Sequence, residues 1–575
     1  MATAVAALLA PLSTWFLAVN HTVTEPYLDE VFHVRQAQRY CAGRFDVWDP
    51  KITTPPGLYL LSKASQKCLI EALFQKLGFS CEYCLNFIYS PLGCDLTGLR
   101  AVNALGLIAI VIVVLSTYRE RASRTIFEHH QNLFEHSALN VALYPPLFFF
   151  SALYYTDVWS TAFVLLFHVV FLRAHRRGTL SWAGCVGILI TGLCSLTFRQ
   201  TNIFWVSVFP AAIVLLHQLD RGHAAPRSSM LRRVEGFGDS IYSVAKTSYR
   251  MEVLFDVPVK DASINDYLKT AVSIAACTCK TATQPKLFMK LLLALAPYIA
   301  LLVLFGGFVV WNGGVVLGDR SNHVATLHLT QMLYLWPFIT FFSWPLTHSY
   351  LLLVLVLLFT QLPAYGHLES LQFFKRTKLL PRSWLILATV GLACVVVFSN
   401  TIVHPFTLAD NRHYMFYVFR LLLKPWWVRY VVTPVYFLSA WATIETLGGG
   451  PSQHISVGRD VENGAHSHLP LPDGQHSAST SFVLVWIATS AMQLITAPLV
   501  EPRYFILPWL LWRVHVPLRM PQNAKYSSHL LESYDHRLWL ETLWFLAIDA
   551  VTGYVFIYRG FEWAQEPGKV QRFMW

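Results

Sequence analysis

"MATAVAALLAPLSTWFLAVNHTVTEPYLDEVFHVRQ" occupies residues 1–36. The first 20 residues carry no charged side chain; Glu25, Asp29, Glu30, His33 and Arg35 follow almost at once. A helix that crosses a bilayer needs ~20 mostly apolar residues, because only a helix satisfies its backbone hydrogen bonds internally in lipid. Residues 1–20 therefore read as a membrane span and the polar run after it as a segment at the membrane surface. No Lys or Arg precedes the apolar run, and no small-residue cleavage site comes before Asn20, so an uncleaved span is expected rather than a signal peptide.

The same alternation recurs along the chain. Of 575 residues, 55% are hydrophobic and only 13% charged, against about 25% charged in soluble domains; mean hydropathy is +0.44. Apolar blocks include Leu291–Val310, Leu351–Phe359, Ser481–Val500 and Leu543–Tyr558. Expected spans are 1–20, 100–118, 138–154, 158–172, 181–197, 202–217, 287–310, 384–403, 430–446, 481–499, 503–516 and 540–558, plus a broad region 331–363 that must be kinked or re-entrant. The fold class is an all-α polytopic membrane protein of about thirteen helices, with the whole chain as one membrane domain. No soluble domain, internal repeat or glycine-rich phosphate loop is visible.

Charge sets the expected orientation. The basic loops "YRERASR" (118–124) and "RAHRRG" (173–178), the insert 218–286 with "RSSMLRR" (227–233), and "FFKRTKLLPR" (373–382) belong on the cytoplasmic side. Segment 447–480, rich in Gly, Ser, Pro and His, reads as a flexible cytoplasmic loop; its histidines His454, His466, His468 and His476 lack regular ligand spacing. The net charge of +11 thus reflects loop orientation, and the short basic patches lack the interleaved aromatics of a nucleic-acid surface. Five polar stretches fall on the opposite side: the first loop 21–99, "FRQTN" (198–202), "WNGGVVLGDRSNHVATLHLTQ" (311–331), "HPFTLADNRHYMFY" (404–417) and "EPRY" (501–504). If that side is oxidising, one or two disulfides are expected among Cys41, Cys68, Cys81, Cys84 and Cys94, an odd set that leaves at least one thiol over. The single CxxC at Cys81 and Cys84 has no second pair to complete a zinc site. The sequon at Asn20 lies close to the membrane.

Each stretch has a bland and a chemical reading. Thr24 is placed to cap a helix starting near Pro26. On it Asp29 and Glu30 precede His33 by four and three residues, on one face; a carboxylate at a helix start is held as an anion and suits a general base. The bland alternative is a solvated amphipathic helix. HExxH is absent, and no other carboxylate cluster has ligand spacing, so no metal or cofactor is expected. "GDRSNH" (318–323) and "ADNRHY" (409–414) offer Arg320, His323, Arg412 and His413 as donors to a phosphate, or else loop caps and surface ion pairs. Arg199 and Arg503 abut apolar helices and require partners; Arg199 has snorkelling as its alternative, and Glu501 is the neighbour suited to Arg503.

Taken in order, "EPYLDEVFHVRQAQRYCAGRFDVWDPKITTPPGLYLL", "FRQTNIFW", "VVLGDRSNHVATLHLTQMLY", "LADNRHYMFYV", "EPRYFILPW" and "QRFMW" resemble the Die2 family, the dolichyl-phosphate-glucose-dependent α-1,2-glucosyltransferases of lipid-linked oligosaccharide assembly in the endoplasmic reticulum. Departures are confined to the inserts 218–286, roughly 345–380, and 447–480. The resemblance implies a GT-C fold in the endoplasmic reticulum membrane, with lumenal loop helices and a lumenal active site. It implies transfer of glucose, with inversion, from dolichyl-phosphate-glucose to the diglucosylated mannose-rich oligosaccharide on dolichyl diphosphate, before transfer to asparagine. Carried onto this sequence, the base is Asp29, with Glu30 the alternative and His33 orienting it. Donor phosphate contacts fall to Arg412, His413 and Arg503, with Arg320 and His323 as alternatives, and sugar or lipid contacts to Tyr27, Trp48, Tyr414 and Tyr504, whose bland reading is interfacial anchoring. A related mannosyltransferase differs from this only through the motif match. A transporter or flippase predicts ionisable residues buried mid-span and inverted repeats, whereas here the polar clusters sit at span ends on one side.

Overall fold

Long apolar runs become helices, and proline and polar punctuation decide where they stop. The computed structural model describes residues 2–65, 93–176, 180–221, 237–319, 325–360, 381–449, 477–519 and 534–575. Among these, seven helices are long and apolar enough to cross a membrane: Ala2–Thr22, Leu96–Arg121, Asp157–His175, Gln200–Asp220, Pro285–Asn312, Ser383–Asn400 and His536–Tyr558. Shorter apolar helices cover Trp182–Leu196, Tyr414–Leu423 and Thr480–Ile495. A multi-pass helical membrane protein is the architecture that results.

Two expected spans are divided. Region 138–154 is split between Gln131–Ala142 and Pro145–Phe150, because Pro145 and Pro146 lack the N–H groups that would continue the first helix and instead open the second. Region 331–363 breaks at Ser343, between Thr330–Phe342 and Trp344–Thr360; the freed Ser343 hydroxyl accepts the Trp509 indole N–H at 2.8 Å. Trp509 also stacks on Tyr144 at 3.7 Å, within a core of buried aromatics. One charge pair is closed inside the bundle: Arg513 and Glu541, both fully buried, meet at 2.6 Å, each offsetting the other's cost in a low dielectric.

The described part of the 218–286 insert is ordered. Helices Ile241–Met251 and Ile264–Ala282 each begin with a serine capping box, at Ser240 and Ser263. Between them Asp256 accepts hydrogen bonds from Thr480 and Ser481, fastening the insert to the start of helix Thr480–Ile495. Residues 450–476, with the four histidines of that loop, lie outside the described residues.

The first loop holds helices Glu30–Cys41 and Gly57–Ala64. Cys41 and Cys94 form a disulfide that ties the first of these to the entry of helix Leu96–Arg121; Cys68, Cys81 and Cys84 lie outside the described residues. Gly57 donates its N–H to the Thr197 carbonyl at 2.8 Å, and a Cβ there would collide with the Thr197 backbone, so only glycine permits this approach. At the other end of the chain a small antiparallel hairpin pairs β1 (Phe561–Trp563) with β2 (Glu566–Gln571), the two strands found among the described residues.

Candidate active site

The polar stretches meet at one end of the bundle. Leu317 and Asp319 donate backbone N–H groups to Thr53 and Pro50 of the first loop, and Gln200 donates to the Thr53 carbonyl at 2.8 Å. Arg199, Asp157, Arg503 and Asp29 form a chain of ion pairs: Arg199 to Asp157 at 2.8 Å, Asp157 to Arg503 at 3.8 Å and Arg503 to Asp29 at 3.7 Å. A cavity of about 240 Å³ opens beside Arg503, walled by Asp29, Tyr155, Arg412, His413, Met574 and Trp575 among others.

The approach to this cavity departs from the sequence expectation. The helix does not begin near Pro26 under a Thr24 cap; it begins at Glu30, with Asp29 at the N-cap position. Leu28 adopts φ 53°, in the left-handed region, where a side chain is strained. Glu30 explains the shift. Its carboxylate is fully buried and accepts from Arg100 at 2.9 and 2.7 Å, from the Tyr27 N–H at 3.0 Å and from the Tyr154 N–H at 2.6 Å. These four donors pull Glu30 inward and turn the chain at Leu28, leaving the Asp29 side chain 53% exposed at the cavity.

His33 is half-buried, and its Nδ1 lies 2.6 Å from the Tyr59 hydroxyl. Burial, offset in part by the Asp29 charge, holds its pKa below the usual imidazole value, so the neutral ring is favoured.

Arg503 is surrounded by carboxylates. Glu501 pairs with it at 2.9 Å, as its position in "EPRY" suggests, and Asp29 and Asp157 stand at the longer distances given above. Its guanidinium also lies 5.6 Å from the ring centres of Phe150 and Tyr155, a cation–π seat. Arg199 does not snorkel: it finds Asp157. The sequence reading missed Asp157, a 3% exposed residue at the start of helix Asp157–His175. Its signal is a lone acid in "YYTDVW" between apolar runs, indistinguishable in sequence from a helix-start charge.

The second cationic group sits across the cavity. Arg412 grips Asp410 through Nε at 2.9 Å and Nη2 at 2.7 Å, donates from Nη1 to Gln571 at 3.0 Å, and lies 4.4 Å over the Trp563 ring. Burial alone would raise the Asp410 carboxyl; the Arg412 hydrogen bonds outweigh it and hold the pKa below the usual carboxylate range. His413 is freer, with Nε2 at 3.7 Å from Asp410 and a side chain 35% exposed.

Four aromatics singled out in the sequence stand off the cavity lining. Tyr27 bonds the tail through its hydroxyl, exchanging hydrogen bonds with Arg572 N–H and C=O at 2.7 Å each; burial pushes its pKa up to about 12, so it stays a donor. Trp48 packs with Tyr40 and Tyr59, Tyr414 meets Trp575 at 5.0 Å, and Tyr504 packs against the core. Tyr155, Phe406, Phe416 and Trp575 are the aromatics that do line the cavity. Arg320 and His323 lie outside the described residues. Among the described residues no group of three or more His, Cys, Asp or Glu side chains converges as a metal site would.

A solvent-facing carboxylate can accept a proton, and the cationic groups beside it can stabilise a departing anion. Comparison with known proteins adds the following. Residues 23–514 match the family model described as the DIE2/ALG10 family. Proteins from Aspergillus fumigatus and Emericella nidulans are each 37% identical, over 99% of this chain and 96% of their own length. One from Pyricularia oryzae is 36% identical, over 98% and 91%. All three are named Dol-P-Glc:Glc(2)Man(9)GlcNAc(2)-PP-Dol alpha-1,2-glucosyltransferase. No solved structure matches the chain.

Proposed function

The chain belongs to the DIE2/ALG10 family, and from that membership we propose that it is a dolichyl-phosphate-glucose-dependent α-1,2-glucosyltransferase. It transfers glucose to the diglucosylated, mannose-rich oligosaccharide on dolichyl diphosphate and so adds the terminal α-1,2-linked glucose. The observation that carries the reading onto these residues is the half-exposed Asp29 at the cavity, 3.7 Å from Arg503.

The chemistry follows from charge. Asp29 takes the proton from the acceptor 2-hydroxyl as that oxygen attacks the glucose anomeric carbon from the face opposite the phosphate. The bond from that carbon to the phosphate oxygen breaks, and dolichyl phosphate leaves with the electron pair. A β-linked donor then gives an α-linked product. The leaving group is already a good anion, so it requires positive charge and hydrogen-bond donors rather than a proton; Arg503 supplies the charge and His413 a ring N–H. Asp29 is preferred to Glu30 because four donors already occupy the Glu30 oxygens. His33 faces Tyr59 and acts on Asp29 through the local field as a neutral neighbour. The GT-C fold, residence in the endoplasmic reticulum membrane and a lumenal cavity complete the proposal; the Cys41–Cys94 disulfide fits an oxidising lumen. No resident metal is invoked.

The test is purified full-length enzyme with synthetic dolichyl-phosphate-glucose or dolichyl-phosphate-mannose and acceptors carrying one, two or three glucoses. Transfer of glucose to the diglucosylated acceptor alone is expected. Preference for the mannose donor overturns the reading.

A further inference from the structure

We infer that the C-terminal hairpin and tail form a clasp that sets the spacing between the loop bearing Asp29 and the loop bearing Arg412 and His413, with Tyr27, Gln571 and Trp563 as its positioning residues. The inference rests on the glucosyl-transfer reading for its kinetic readout and on the geometry alone for its structural one.

One end of the clasp holds the first loop. Tyr27, two residues before Asp29, exchanges two hydrogen bonds with the Arg572 backbone, and the Tyr155 hydroxyl donates to the Tyr27 carbonyl at 3.3 Å. The Arg572 guanidinium donates to the Phe556 and Ile557 carbonyls at 2.7 and 2.8 Å, which fastens the tail to the last turn of helix His536–Tyr558. The other end holds the second loop. Met574 N–H donates to the Arg412 carbonyl at 2.9 Å and Tyr414 N–H to the Met574 carbonyl at 3.1 Å, a short parallel pairing at His413 and Met574. Trp563 donates its indole N–H to Asn411 at 2.9 Å while its ring lies under Arg412. Gln571 bridges Arg412 at 3.0 Å and Glu566 at 2.9 Å.

This arrangement reassigns Arg412. Asp410, Gln571 and Trp563 between them hold two edges and one face of its guanidinium. Arg412 therefore acts as the strut of its loop, and His413 is the group it presents. A strained turn at Leu28 on one side and a loop without long helices on the other have no other shared anchor of this kind among the described residues. The tail supplies it, and its Met574 and Trp575 also wall the cavity.

Full-length enzyme variants test this. Gln571→Ala and Trp563→Ala each raise the donor KM about 3- to 30-fold with kcat little changed, in line with loss of one hydrogen bond or one cation–π contact; Trp563→Phe recovers most of the loss. Tyr27→Phe lowers kcat about tenfold and leaves the donor KM in place. The decisive measurement is a double-mutant cycle: in an Arg412→Ala background, Gln571→Ala and Trp563→Ala add less than about twofold. Full multiplication of the effects overturns the clasp. Hydrogen exchange separates this from failure of the functional reading. With the melting temperature unchanged, Gln571→Ala speeds exchange in residues 405–415, whatever the donor proves to be. Unchanged exchange there rejects the clasp even in an active glucosyltransferase. If Trp563→Ala does not fold, Trp563→Phe and Gln571→Ala carry the same cycle.

Discussion

Two clusters of charge meet neighbouring residues of the first loop, Glu30 and Asp29, and they are built on opposite plans. In one, Glu30 and Arg100 are both fully buried at 2.7 Å, with the remaining carboxylate sites filled by backbone N–H groups. In the other, Arg503 faces Glu501, Asp29 and Asp157 at 2.9, 3.7 and 3.8 Å, and only one of the three contacts is tight. A closed pair has no capacity left for a substrate; breaking it leaves a bare charge in a low dielectric. The second cluster has more anions than close partners and one wall open to a cavity. Adjacent acids thus stand in different settings: Glu30 is enclosed by its donors, and Asp29 is open to the cavity.

The largest effect expected from this contrast is on turnover. Asp29→Asn keeps the shape and removes the base, so kcat falls about 10²- to 10⁴-fold with donor affinity preserved; near-normal turnover removes Asp29 from the role. Glu30→Gln strikes the closed pair instead. It leaves Arg100 buried beside a neutral amide and costs about 3–5 kcal/mol of stability, seen as a fall in melting temperature; a well-folded variant with only lost turnover would move the base assignment to Glu30. Arg503→Ala weakens donor binding by about 10- to 100-fold, the range of a hydrogen bond to a charged group, measured as donor KM or by direct binding; unchanged affinity breaks its pairing with the phosphate. The smallest effect concerns pH. His33 has a lowered pKa, so below about pH 6.5 the unfolded chain binds a proton that the folded chain refuses, and stability falls as pH drops towards the lowered value. His33→Gln lacks this component. Thermal unfolding at pH 7 and about pH 5 should show a smaller acid loss in the variant than in the parent; equal losses place the sensitivity elsewhere.

What could be read in advance follows from range. Spans were legible because an apolar run reports its own environment: the expected 158–172 and 287–310 lie inside Asp157–His175 and Pro285–Asn312. Local pairs were legible too, as with Glu501 and Arg503, two residues apart. Long-range partnerships were not. Nothing near "LDE" says that Glu30 will meet Arg100, 70 residues on, and so nothing tells which of two neighbouring acids turns inward. Asp157 looked like an ordinary helix-start acid until Arg199 and Arg503 closed on it. The contacts of Arg412 with Trp563 and Gln571 were equally hidden, because those residues lie in a short polar hairpin with no apolar periodicity to announce it.

The Tyr27–Arg572 bond has a consequence for biosynthesis. Its partners are separated by 545 residues, so the first loop leaves the ribosome long before the tail that steadies it. A nascent chain can insert every preceding helix and close the Cys41–Cys94 bond while the turn at Leu28 still lacks its last restraint. The cavity walls at Met574 and Trp575 therefore follow the first loop by most of a chain length of synthesis, and a chain stalled just after helix His536–Tyr558 would lack them.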